Sequence, residues 1–163
     1  MTNLRDNGSS MFRRSQALLL SFLTAALVFC GGFTARAASF KSDWSAAVKT
    51  QPPSNSIVGA WEGQWKSVAH HVSGPLRCVI TDLGNGKYQA RFHAQFHWFH
   101  FTYTASLVAE RTPQGDMLKG EADLGWMGGV YKYSGPVSPS KYVSTYASPV
   151  ENGVLELARP QKV

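Results

Sequence analysis

The stretch ARFHAQFHWFHFTY, Ala90 to Tyr103, holds three histidines within eight residues and decides between a metal-binding helix and a pair of strands. Read from Tyr88, the apolar set Tyr88, Ala90, Phe92, Ala94 and Phe96 alternates with Gln89, Arg91, His93, Gln95 and His97. That is the period of two of a half-buried strand. On a helix, His93 and His97 would sit one turn apart on one face. On a strand they stand about 13 Å apart at a rise of ~3.3 Å per residue, too far for one ion with ligand bonds of ~2 Å. The run from Lys87 to Glu110 is too long for one strand, so the chain must reverse near Trp98-Phe99. If Phe96 pairs with Phe101, then Ala94 meets Tyr103, Phe92 meets Ala105 and Ala90 meets Leu107, large against small on the inner face. This register sets His97 opposite His100 on the outer face, roughly 5 Å apart. The pair is a candidate metal site, with His70 and His71 in an earlier loop as the available further ligands; the alternative is that the histidines are solvated or lie on a rim. Trp98-Phe99 lacks the Gly, Asn or Asp of tight hairpins, which predicts a looser loop presenting aromatics.

The same period extends in both directions. Trp61, Gly63 and Trp65 alternate with Glu62, Gln64 and Lys66, and Leu76, Cys78 and Ile80 with Arg77, Val79 and Thr81. Leu118, Gly120, Ala122 and Leu124 form a further inward set, and turn signals recur about every ten residues through Glu151-Asn152-Gly153. This predicts an all-β fold of about eight antiparallel strands over residues 57–160, joined by short connections. Closing them into an up-and-down barrel removes two exposed edges, and the mixture of inward glycine, alanine and aromatic residues suits a narrow lumen. A β-sandwich is the alternative. Upstream, Ser42 as a cap with Trp44, Ala47 and Val48 at helical spacing predicts a short helix, so that residues 38–56 read as a short helix and a Pro-rich linker from Gln51 to Ser56.

Residues 1–37 carry Arg5, Arg13 and Arg14 ahead of an apolar run from Ala17 to Phe33 and end in Ala35-Arg36-Ala37, the pattern of a cleavable signal peptide. The expected destination is periplasmic or extracellular, with no stable membrane span after cleavage. A lipoprotein anchored through Cys30 is the minor alternative, opposed by the bulk of Phe29. Arg13-Arg14 fits a twin-arginine signal only in part, so the export route stays open. Cleavage would reduce the net charge from +6 to +3, because four of the 16 basic residues and one of the 10 acidic ones lie in that segment. Much of the basicity therefore belongs to the signal, and no nucleic-acid partner is implied. Cys78 alone remains, alternating with Leu76 and Ile80 as a buried small hydrophobe, so no internal disulfide supports the mature chain.

Gly59-Ala60-Trp61-Glu62-Gly63-Gln64-Trp65 resembles the G-x-W opening of the lipocalin and wider calycin barrels. The resemblance implies a helix over the base of the barrel and an arginine after the last strand, here Arg159, stacked on Trp61. The doubled form GxWxGxW is also similar to the opening of the haem-binding nitrobindin barrels. Those ligate iron through a histidine near the C-terminus, and no histidine follows His100 here, so no cofactor is implied. With Leu76-Arg77-Cys78, Asp123-Leu124-Gly125, Gly128-Gly129-Val130-Tyr131 and Leu155 to Pro160, the chain further resembles a family of uncharacterised exported bacterial proteins. That likeness implies an envelope-located β-barrel and supplies no activity.

Catalytic constellations are scarce: Glu62, Glu121, Asp123 and Glu156 read as a solvated face alternating with lysines. The sequence thus points to a non-enzymatic barrel binding a small apolar or amphipathic ligand, in a lumen lined by Trp65, Phe92, Phe96, Tyr103, Tyr133 and Tyr146. A second reading is an envelope structural or interaction module with a solid barrel, contacting its partner through a tip of Trp98, Phe99 and Trp126. An enzyme with a site at the barrel mouth is the weakest reading.

Overall fold

The computed structural model describes residues 40–50, 52–53 and 55–161; the expected signal segment, 1–37, lies outside the described residues. A helix, α1, covers residues 40–50. Eight strands follow: β1 Gly59–Ser67, β2 Ser73–Gly84, β3 Lys87–Phe96, β4 Phe99–Thr112, β5 Gly115–Asp123, β6 Val130–Val137, β7 Lys141–Ala147 and β8 Asn152–Ala158. Each pairs antiparallel with its neighbour in sequence, and β1 pairs with β8 as well as β2. The sheet closes on itself as the expected up-and-down barrel, and a sandwich of two sheets is thereby excluded. No free edge strand remains.

Alternation places the core. Cys78, Ile80, Ala90, Phe92, Ala94, Ala105, Leu107, Leu118 and Leu157 are buried inside. Trp61 is fully buried at the end where β1 begins and β8 finishes. There Arg159 lies over the Trp61 ring at 3.9 Å, and three donor nitrogens of its guanidinium reach the carbonyl oxygens of Ser56 (2.5 Å), Pro139 (2.9 Å) and Ala60 (3.1 Å). One side chain thus ties the segment before β1, the β6–β7 turn and the end of β8 together. Trp61 Nε1 donates to the Ile57 carbonyl at 2.9 Å, which fixes the ring under the guanidinium.

Three expectations are corrected. Helix α1 begins earlier than the Ser42 cap, because Phe40 is already helical and, at 3% exposure, is the anchor. The helix also packs on the outer wall rather than over the base. Phe40, Trp44 and Ala60 form a cluster separate from the barrel core, backed by Val79, with Arg77 over the Trp44 ring and Asp43 paired with Arg91. Ala60, Arg77, Val79 and Arg91 are outward residues of β1, β2 and β3, so this small apolar patch is what the helix covers.

The third correction concerns the reversal after Phe96. Phe96 pairs with Phe99, not Phe101, leaving a tight turn of His97 and Trp98 in which His97 takes a φ of 53°. Partners shift by two residues, so every side chain keeps its face while changing its neighbour. The tighter turn adds ladder pairs and sets Phe92 against Tyr103 with stacked rings 5.0 Å apart, and Phe99 stacks on Phe101 at 5.8 Å. These contacts offset a left-handed conformation at a residue other than glycine.

Two glycines let aromatic rings lie across a neighbouring strand. Trp65 of β1 crosses Gly74 of β2 and donates Nε1–H to the Gln95 carbonyl of β3 at 3.1 Å. Tyr146 of β7 crosses Gly153 of β8 and donates its hydroxyl to the Lys66 carbonyl of β1 at 3.2 Å. A Cβ at Gly153 would collide with that carbonyl and with the Tyr146 ring. Gly153→Ala is therefore expected to cost about 1–3 kcal/mol in urea denaturation, the scale of overpacking. Tyr146→Ala in the same background should restore part of the loss by clearing the ring.

Candidate functional site

The two halves of the lumen differ. Towards the Trp61 end, Ile80, Ala90, Leu107, Leu118 and Tyr142 fill it, each no more than 1% exposed. Towards the other end it opens into a cavity of about 440 Å³. That end carries the β1–β2, β3–β4, β5–β6 and β7–β8 connections, including the 3-10 turn Gly125–Met127.

Of the six lumen residues expected from sequence, Trp65, Phe96, Tyr103, Tyr133 and Tyr146 line the cavity. Phe92 does not. It is fully buried beneath, stacked on Tyr103 and on Tyr133 (6.0 Å), and so makes the floor on which those rings rest. Alternation identifies inward positions but not their height along the barrel, which is why Phe92 was grouped with the others. Further wall comes from Leu76, Phe101, Leu124, Tyr131 and Leu155.

Most of the polar groups in this wall are already engaged. Burial pushes both the Tyr103 and Tyr133 phenols well above the usual value, and the two hydroxyls influence each other. Tyr131 donates to the Met127 carbonyl at 3.2 Å, bracing the 3-10 turn, and Tyr146 donates to Lys66 as above. Burial, with Glu151 next in weight, also raises Tyr146. His70 and Glu151 stand at the mouth, their side chains 3.4 Å apart. Sequence reasoning missed Glu151, since a glutamate opening a Glu-Asn-Gly turn carries no mark of a cavity.

The expected tip divides in two. Phe99 faces the cavity, whereas Trp98 and Trp126 are 86% and 76% exposed and do not fold over to plug it. Val68 and Val150 are also exposed, so each of the four mouth loops presents an apolar side chain.

The three histidines of the β3–β4 hairpin lie outside the lumen and in a different pairing from that expected. His100 faces Gln95, not His97, because of the shifted turn. His93 is the one that meets His100, with rings stacked 5.5 Å apart, while its other face stacks on Phe40 at 5.1 Å and its Nδ1 bonds the Thr102 hydroxyl at 3.0 Å. Burial lowers the His93 pKa, followed in weight by His100 and Arg77. The His97 ring instead packs edge-on against Phe96. Among the described residues no group of three or more His, Cys, Asp or Glu side chains is placed to hold a metal ion, and no helix is long and apolar enough to cross a membrane.

These features define a closed eight-stranded barrel with an apolar cavity at an open end. No protein-family model matches the chain, and no curated protein matches it either. Among solved structures, fatty-acid-binding protein 1 of Echinococcus granulosus is similar at a TM-score of 0.38 and 14% sequence identity, over 64% of this chain and 98% of that one.

Proposed function

We propose that this protein is an exported, non-enzymatic barrel that binds one small apolar or amphipathic molecule in the open half of its lumen. The observation that carries the reading is the 440 Å³ cavity walled by Trp65, Phe96, Phe101, Tyr103, Tyr133 and Leu155. Its volume lies within the roughly 300–1,000 Å³ of small-molecule sites. At the ~30 Å³ that a water occupies in the liquid, it accommodates about 15 non-hydrogen atoms. Export rests on the basic, apolar and Ala-Arg-Ala pattern of residues 1–37.

The neutral fluorophore N-phenyl-1-naphthylamine tests the site. It is expected to bind the mature protein once, with enhanced emission, and Leu124→Trp, which adds an indole to the cavity wall, should weaken it at least about tenfold. Emission enhancement that survives Leu124→Trp undiminished would place the dye elsewhere and remove the support for a lumen ligand. Native mass spectrometry of protein from its own host then reads the bound mass directly.

A second reading, contact with an envelope component, is favoured by one observation. The exposed apolar side chains Val68, Trp98, Trp126 and Val150 fall one to each mouth loop, so a partner touching all four would cover the opening.

A further inference from the structure

The cavity contains one carboxylate whose acceptor capacity is only partly used. Glu151, in the β7–β8 connection, is held by its backbone: its carbonyl accepts the Ser148 N–H at 2.7 Å. Its side chain is only 17% exposed, with Oε2 3.4 Å from His70 Nε2 and Oε1 buried without a hydrogen-bond partner among the described residues. A buried carboxylate oxygen lacking a donor is costly, and a ligand that brings a donor removes that cost. His70 does not turn to serve Oε1, since its backbone N–H is fixed on the Ser67 hydroxyl at 2.8 Å and its ring is the exposed partner of the pair.

The rest of the wall sharpens the choice of ligand. The cavity lining contains neither lysine nor arginine. The Tyr131 and Tyr146 hydroxyls donate to backbone carbonyls, and the other two phenols of the wall, Tyr103 and Tyr133, are neutral donors held protonated by burial. An anionic headgroup entering this cavity therefore meets a carboxylate and finds no cation beyond His70. A headgroup rich in donors and positively charged meets a carboxylate of opposite sign in a low-dielectric wall, where the interaction is least screened.

Building on the reading of the cavity as a ligand site, we propose that it takes a cationic amphipath, an amine-headed apolar molecule, and that Glu151 is the residue that selects it. The apolar body lies against Trp65, Phe96 and Phe101, and the ammonium pairs with the Glu151 carboxylate at the mouth, whose small rotation would bring Oε1 its missing donor. The selectivity against carboxylate-headed lipids is a consequence of the same charge.

Three probes of equal chain length separate this from the underlying reading: dodecylamine, 1-dodecanol and laurate, titrated below their aggregation limits against N-phenyl-1-naphthylamine at neutral pH. Dodecylamine is expected to bind at least about tenfold more tightly than laurate. Glu151→Gln should bring the two within about threefold while leaving 1-dodecanol within about threefold of its original affinity. His70→Ala, which keeps the carboxylate and removes the imidazole, should retain the full preference for the amine. This variant keeps the test open if Glu151→Gln fails to fold. Equal binding of amine and laurate by the unaltered protein, or loss of the preference in His70→Ala, overturns the selection by Glu151 while 1-dodecanol binding leaves the cavity reading intact. Failure of all three probes to bind overturns both.

Discussion

Between pH 10 and pH 12 the barrel is expected to lose about 3 kcal/mol of stability per pH unit and to unfold in one cooperative transition. The cause lies in the filled and half-filled parts of the lumen. Tyr133 and Tyr142 are 4% and 0% exposed, and burial holds the proton on each phenol well above its usual value of 10.0. In the unfolded chain both ionise near that usual value. A group whose folded pKa is raised contributes stability that is fully present below the unfolded pKa and falls as pH climbs above it. Within that window the unfolded chain binds fewer protons, and each such group removes about 1.4 kcal/mol per pH unit. The two together give the slope, and by pH 12 the loss of about 6 kcal/mol rivals the whole stability of a small domain. Tyr103, whose phenol burial also raises well above the usual value, deepens the same transition rather than adding a separate one.

Tyr142 allows a clean check. Its buried hydroxyl lacks a hydrogen bond among the described residues, while the Ser144 hydroxyl donates to the Thr145 carbonyl at 2.9 Å. Tyr142→Phe should therefore change stability at neutral pH by less than about 1 kcal/mol, yet lower the alkaline slope by about 1.4 kcal/mol per unit. Urea denaturation at stepped pH, followed by circular dichroism and tyrosinate absorbance, reads both quantities. Tyrosinate absorbance that forms near pH 10 in folded protein and is lost in Tyr142→Phe would show that water reaches this hydroxyl.

The residues that made the barrel legible are those whose environment is set by the strand period. From Tyr88 to Phe96 every side chain lies on the face that alternation assigns it, and a slip of two residues in the turn leaves this undisturbed. The turn itself was not legible, because His97 occupies a left-handed position usually marked by glycine or asparagine, and what stabilises it is ring packing between and along β3 and β4, which alternation does not encode. That slip moved the histidine contact from His97–His100 to His93–His100. Helix α1 was visible as a helix, but the patch that it covers consists of outward residues of three strands, so its position follows from tertiary contact alone. In the lumen the inward sets were readable and depth was not, which explains Phe92. Glu151 was invisible for a related reason: a carboxylate in a turn is ordinarily solvated, and only the fold brings this one against a cavity wall.

Replacing Arg159 with alanine is expected to cost about 3–4 kcal/mol, close to the upper end for a single substitution. The guanidinium makes three charge-assisted hydrogen bonds to carbonyl oxygens of Ser56, Ala60 and Pro139, with a cation–π contact on Trp61. Hydrogen bonds to charged groups contribute roughly 1.5–3 kcal/mol each and the stacked contact about 0.5–2 kcal/mol. The simple sum overstates the loss, since the side chain is only half-buried and water replaces part of what is removed. The decisive comparison is Arg159→Lys. Lysine keeps the charge but presents a point donor, which cannot lie flat on the indole while reaching three carbonyls in different directions. It should recover less than about 1 kcal/mol of the alanine loss, measured by urea denaturation with Trp61 fluorescence as the local probe. Full recovery by lysine would show that charge alone closes this end, and the planar clamp would then be wrong. The β1–β8 seam is where the loss should appear first, because Arg159 directly follows β8 and two of its three acceptors precede or begin β1. Hydrogen exchange in Arg159→Ala is therefore expected to rise at Glu62 to Trp65 and Leu155 to Ala158 before it rises on the β3–β4 hairpin, whose pairing does not depend on that clamp.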